Sequence, residues 1–101
     1  MTTGSAENRD LVAECLALNL ARCKRETGMS LTEIAERAAI HRTHLGLLLR
    51  GKRLARMDTV IKLAGALGVP LSALVEGVRW CPPQGPKSLG RFELTEEGAP
   101  D

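Results

Sequence analysis

Aromatic residues are almost missing from this chain: 101 residues contain one Trp, one Phe and no Tyr. A core here must come from Leu, Ala, Val and Ile, which suits small packed helices better than a sheet sandwich. Long apolar runs are missing too, and none approaches the roughly twenty residues of a membrane-spanning helix. The opening MTTGSAENRD has no basic start followed by an apolar block, so it is not a secretory signal, and a cytoplasmic protein is expected. Cysteine is scarce and odd in number. Cys15 and Cys23 fall eight apart on one predicted helix, about 12 Å along its axis, too far to bridge. With Cys81 remote, reduced thiols are expected. Acidic residues are absent from one internal stretch. Between Arg37 and Met57 there is none, whereas Arg37, Arg42, Arg50, Lys52, Arg53 and Arg56 are basic. The net charge of +2 is mild; its distribution says more, because Glu93, Glu96, Glu97 and Asp101 collect in the tail.

The stretch Ser30 to Arg53, SLTEIAERAAIHRTHLGLLLRGKR, organises the rest. Leu31, Ile34, Ala35 and Ala38 share one helical face, and Leu45 and Leu48 form an i, i+3 pair in a second short helix. Ala39, Ile40 and His41 leave room only for a tight turn. Two helices joined so closely make a helix-turn-helix whose second helix is offered to DNA. Ser30 with Glu33 reads as a capping box at the start of the first of them. Gly51 is a left-handed stop after Arg50. Gly46, inside the second helix, is either a close-packing position or a place where the chain approaches a DNA backbone.

Around this stretch the spacing predicts a long first helix from Asn8 to Glu26 or Thr27, closed by Gly28. Leu16, Leu20 and Cys23 face its core. Its first turns, carrying Leu11, Val12 and Cys15, need a further surface to cover, either the C-terminal tail or a second subunit. A fourth helix fits Met57 to Leu67. Pro70 opens a short fifth helix, Leu71 to Val75, with Gly77 after it. Beyond Gly77, the residues Cys81, Pro82, Pro83, Gly85 and Pro86 read as an extended, turn-rich linker. Arg91 to Thr95 alternates as a short strand, which must pair with its twin in a dimer or lie on the body. The expected organisation is a flexible N-terminus (1–7), a helix-turn-helix DNA-binding domain (8–77) and a Pro/Gly-rich tail (78–101) with a dimerisation strand at 91–95. Residues Glu96 to Asp101 are expected to be mobile.

With these elements in order, the chain resembles the lambda-repressor-like family of helix-turn-helix regulators, also called Cro/repressor or XRE-type. The resemblance rests on GMSLTEIAERAAI (Gly28 to Ile40), HLGLLLRGKR (His44 to Arg53) and TVIKLAGALGVPLSALV (Thr59 to Val75). It implies an all-α fold, a five-helix DNA-binding domain with an extended C-terminal tail able to add a short strand. It also implies a homodimeric transcriptional regulator, a repressor or an activator, acting on double-stranded DNA at a palindromic operator. Carried over position by position, the base-contacting residues are Arg42, Thr43, His44 and Leu47. Arg suits bidentate recognition of guanine, and Thr or Leu suits a thymine methyl. The backbone-contacting residues are Ser30, Thr32, His41, Arg50, Lys52, Arg53 and Arg56. Three departures from the family pattern stand out. Leu31 replaces a polar residue, Ala39 the usual turn glycine, and Leu49 an acidic residue that pairs with a base on the first helix, here Lys24.

No cofactor, metal or catalytic group is expected. His41 and His44 are three apart, but two ligands and a remote Cys81 fall short of a zinc site. Nothing places a cysteine beside a histidine, and no oxyanion-hole motif is present. Leu47 and Leu49, apolar on a helix meant for DNA, support a rival: a protein-interaction adaptor on the same fold. The antitoxin of a two-gene module, covering a protein partner with its C-terminal tail, is a third reading.

Overall fold

The computed structural model describes the backbone of residues 5–95 and the side chains of residues 10–95. The elements are α1 (Ser5–Thr27), α2 (Leu31–Ala38), α3 (Arg42–Leu49), α4 (Met57–Leu67), α5 (Ser72–Val75), β1 (Val78–Cys81) and β2 (Arg91–Leu94). Helix α1 starts three residues before Asn8, because Ser5, Ala6 and Glu7 are tolerable helix residues and none forces a break. It stops where Gly28 turns left-handed, at φ +75°. The expected mobile end, Glu96 to Asp101, lies outside the described residues.

Helices α2 and α3 pack on a platform made by α1 and α4. Their meeting point is closed by Leu20, Leu45, Leu48, Leu63 and Leu74, all at or below 2% exposure. Truncating any of these to Ala would leave a cavity costing about 2–5 kcal/mol. Cys23 belongs to the same core, whereas the other buried cysteine, Cys15, lies on α1 nearer the tail.

Helix α5 is too short to satisfy its own ends, so its orphan carbonyls need partners from elsewhere. Helix α1 supplies them. The buried Asn19 amide donates to Leu74 O (3.0 Å) and Glu76 O (2.9 Å). Arg22 donates to Asn19 Oδ1 (2.8 Å) and to Ala73 O (3.0 Å). The Cys15 thiol donates to Glu76 O at 3.1 Å. Burial raises its pKa above the ordinary thiol value, and this holds it as a neutral donor.

The tail differs from the linker-plus-lone-strand expectation. Val78–Cys81 forms a second strand, and the pair is an antiparallel hairpin in register Val78↔Leu94, Arg79↔Glu93, Trp80↔Phe92 and Cys81↔Arg91. Pro82, Pro83 and Pro86 fall in the connection, where a missing N–H costs nothing, so they bound β1 rather than exclude it. Hence β2 pairs within its own chain. The hairpin lies against α1, so the tail supplies the cover that the first turns of α1 required. One hairpin face is apolar (Val78, Trp80, Phe92, Leu94), with the Trp80 and Phe92 rings edge to face at 5.0 Å. The other carries Arg79, Cys81, Arg91 and Glu93. Bonds from the Cys81 thiol, Arg79 and Arg91 hold the Glu93 carboxyl below its ordinary pKa.

Candidate nucleic-acid interface

The α2–turn–α3 unit is fixed by local chemistry. Ser30 stays extended (φ −80°, ψ 164°) and its Oγ accepts from Glu33 N at 3.0 Å, satisfying one orphan donor of α2. Among the described residues the reciprocal bond of a capping box, from Glu33 back to Ser30, is not made. At the other end Ala39 takes the left-handed conformation (φ 58°, ψ 45°) that glycine usually fills. Its N–H goes to Ala35 O and Glu36 O, and Ile40 N–H goes to Ala35 O at 3.0 Å. That closure turns the chain sharply into α3.

Helix α3 divides cleanly by face. Leu45 and Leu48 are buried at 1% and 0% exposure. On the outer side Arg42 and Thr43 are exposed, and His44, Gly46 and Leu47 are half-buried. His41 precedes the helix in extended conformation and makes no capping bond, which leaves its imidazole exposed and uncommitted to the helix. A Cβ on Gly46 would meet nothing within 4 Å, so packing against a neighbouring helix does not require glycine there. Leu49 is half-buried against the core, which accounts for its departure from the acidic pattern: packing takes the place of an ion pair.

An open hollow beside this face is lined by Thr32, Ala35, Glu36, Ala39, Ile40, His41 and Arg42. It brings together three of the sequence-derived residues. Arg42 donates from Nη1 to Thr32 Oγ1 at 3.3 Å, so the start of α2 holds the first guanidinium of α3. Glu36 was not picked out by spacing or charge. As an exposed acid at the rim of a basic region, it opposes phosphate and can accept from a base amine.

The other cations sit on the α3–α4 connection. Arg50, Lys52, Arg53 and Arg56 are exposed around Gly51, which takes φ +70° and where a Cβ would meet Glu14 and Ala17 of α1. Arg56 pairs with Asp58 at 3.4 Å, but with its side chain 85% exposed the pair is worth little. The basic run of the sequence is not one continuous face. Arg37 turns away, and its Nε donates to Ala66 O at 2.8 Å, capping the end of α4. Among the described residues no group of three or more His, Cys, Asp or Glu could hold a metal ion.

A helix-turn-helix family model, HTH_3, matches residues 20–74, from the middle of α1 through α5. The chain belongs to this family. HTH_3 proteins of this lambda-repressor-like kind are DNA-binding regulators rather than enzymes. The fold is shared with the restriction-modification controller protein C.AhdI from Aeromonas hydrophila, at 24% identity and TM-score 0.59, over 61% of this chain and 94% of that one. A hypothetical transcription factor, NHTF from Neisseria, matches at 26% identity and TM-score 0.60, over 63% of this chain and 74% of that one. An HTH_3 family transcriptional regulator from Vibrio cholerae matches at 25% identity and TM-score 0.62, over 64% of this chain and 36% of that one. No curated protein matches the chain in sequence. The first half of α1 and the whole hairpin lie outside the span that the HTH_3 model matches.

Proposed function

We propose that this HTH_3 protein regulates transcription by binding, as a homodimer, a two-fold symmetric site in double-stranded DNA. The observation that carries the reading is the division of α3: its inner side is locked into the core by Leu45 and Leu48, and its outer side presents Arg42, Thr43, His44 and Leu47. A helix held so firmly can enter the major groove with these side chains toward base edges. Arg42 is the principal reader, aimed by the Thr32 hydroxyl. Ser30, Thr32, His41, Arg50, Lys52, Arg53 and Arg56 hold the sugar-phosphate backbone. Gly46 lets the backbone come close.

One such helix reads too few base pairs for useful specificity, so two copies spanning half-sites about one helical turn apart are needed. An apolar surface of the right kind is present. Leu54, Met57, Ile61 and Val75 are exposed, and a groove of about 190 Å³ beside them continues to Val12 and Val78. Of the two leucines on which the adaptor reading rests, Leu49 packs against the core, which leaves Leu47 alone on the outer side.

The discriminating experiment is a gel-shift titration on a site selected from random duplex DNA. Arg42→Ala should lose preference at one or two base pairs, by about 1–3 kcal/mol, and Lys52→Ala should weaken all DNA alike. Mobility shifts unaffected by either change would remove this docking.

A further inference from the structure

We propose that β1 is the pairing edge of the dimer: two copies set Val78–Cys81 antiparallel about a two-fold axis and form one four-stranded sheet. The proposal rests on the dimeric reading above and specifies how the copies meet.

Thr95 N–H donates to Gly77 O at 2.8 Å, and the register continues from that pair. In an antiparallel ladder bonded and non-bonded pairs alternate, so Arg79↔Glu93 and Cys81↔Arg91 are bonded pairs and Val78↔Leu94 and Trp80↔Phe92 are not. The N–H and C=O groups of Val78 and Trp80 therefore point away from β2, along the outer edge of β1. Among the described residues nothing bonds to them. The hairpin contacts α1 mainly through β2.

Such an edge is a template for another strand. Several features favour a second copy over an unrelated peptide. Only four residues separate Gly77 from Pro82, too short a run to hold a foreign strand by backbone bonds alone. In the two-fold arrangement Val78 of each copy lies across from Trp80 of the other, and the outward groups of both match in about four hydrogen bonds. The apolar faces then join, Val78 beside the other copy's Trp80. Val78 also lines the groove with Leu54, Met57 and Val75, so the same axis brings the two exposed apolar strips toward each other. The cost is Arg79 facing Arg79 across the axis, and each is already paired to its own Glu93 at 3.2 Å.

This register makes a sharp distinction between two positions. Arg79 lies on the axis in a non-bonded pair, where Cα atoms are about 4.5 Å apart, within reach of a disulfide. Native Cys81 faces Gly77 of the other copy, and the two Cys81 residues are offset by four positions, about 13 Å along the strand, beyond bridging. The test uses the full chain. Arg79→Cys on a Cys81→Ser background should cross-link quantitatively under mild oxidation, and the native chain should not. Val78→Pro removes only an outward N–H, leaving the β1–β2 ladder intact, and should raise the dimer dissociation constant at least about tenfold in sedimentation. Far-UV circular dichroism reports whether that variant keeps its fold. If it does not, the Arg79→Cys result decides alone. A native dimer with no cross-link through Arg79→Cys would overturn the edge pairing and leave the dimer standing; so would an edge occupied by some other extended segment. A native chain that stays monomeric even on two half-sites would overturn both.

Discussion

At the scale of single residues, two positions in the helix-turn-helix are occupied against local preference, and in opposite senses. Ala39 holds a left-handed conformation that costs a residue with a Cβ about 1–2 kcal/mol, partly offset by the lower unfolded-state entropy of Ala relative to Gly. Ala39→Gly should therefore raise stability by about 0.5–1 kcal/mol in urea denaturation, without changing the DNA preference. Gly46 is the reverse case. It sits mid-helix with open space around its missing Cβ, so Gly46→Ala should stabilise by up to about 1 kcal/mol. If the open space is where DNA passes, the same variant binds its site more weakly while melting higher. A variant gaining both stability and affinity would detach Gly46 from the interface.

At the scale of elements, the hairpin stands on one crowded crossing. A Cβ on Gly90 would lie 2.7 Å from Trp80 Cζ2 and 3.0 Å from Cys81 O, and its φ is +77°. Both the left-handed backbone and the contact with main-chain oxygen forbid a side chain there. Gly90→Ala should cost at least about 2 kcal/mol locally and unseat Trp80. With a single Trp in the chain, the emission spectrum reads this directly: a red shift at temperatures where the helical signal of α1–α5 is unchanged. Simultaneous loss of both signals would mean that the hairpin and the helices melt as one unit. The packing of β2 on α1, with the bonds from Asn19 to the end of α5, is the link through which that coupling would run.

At the scale of the whole molecule, cations that displace counterions from DNA set the salt dependence of binding. Arg50, Lys52, Arg53 and Arg56 are the exposed cations of the α3–α4 connection. If all four engage phosphates in both copies, log affinity should fall against log salt with a slope near −7. Each Arg or Lys replaced by Ala should reduce that slope by about one per copy. A slope near zero would indicate an apolar protein partner instead.

Sequence alone determined the helical core of this protein. Period-3.6 patterning placed α2, α3 and α4 within a residue or so, and Ser30 and Gly51 marked the start of α2 and the end of α3, because capping and periodicity are local and written in neighbouring residues. The exposed set around Arg42 was legible for the same reason: once Leu45 and Leu48 point inward, helical geometry turns Arg42 and Thr43 outward. Only the tertiary structure decided the rest. Arg37 looked like one more cation of the basic run until the end of α4 was folded against it. Glu36 came beside Thr32, His41 and Arg42 only through the hollow made by the turn. Leu49 came to pack against the core by its place in the fold. The tail changed most, since strand pairing depends on which distant residues meet, and Val78–Cys81 is a strand only because Arg91–Leu94 returns to it across a proline-rich connection.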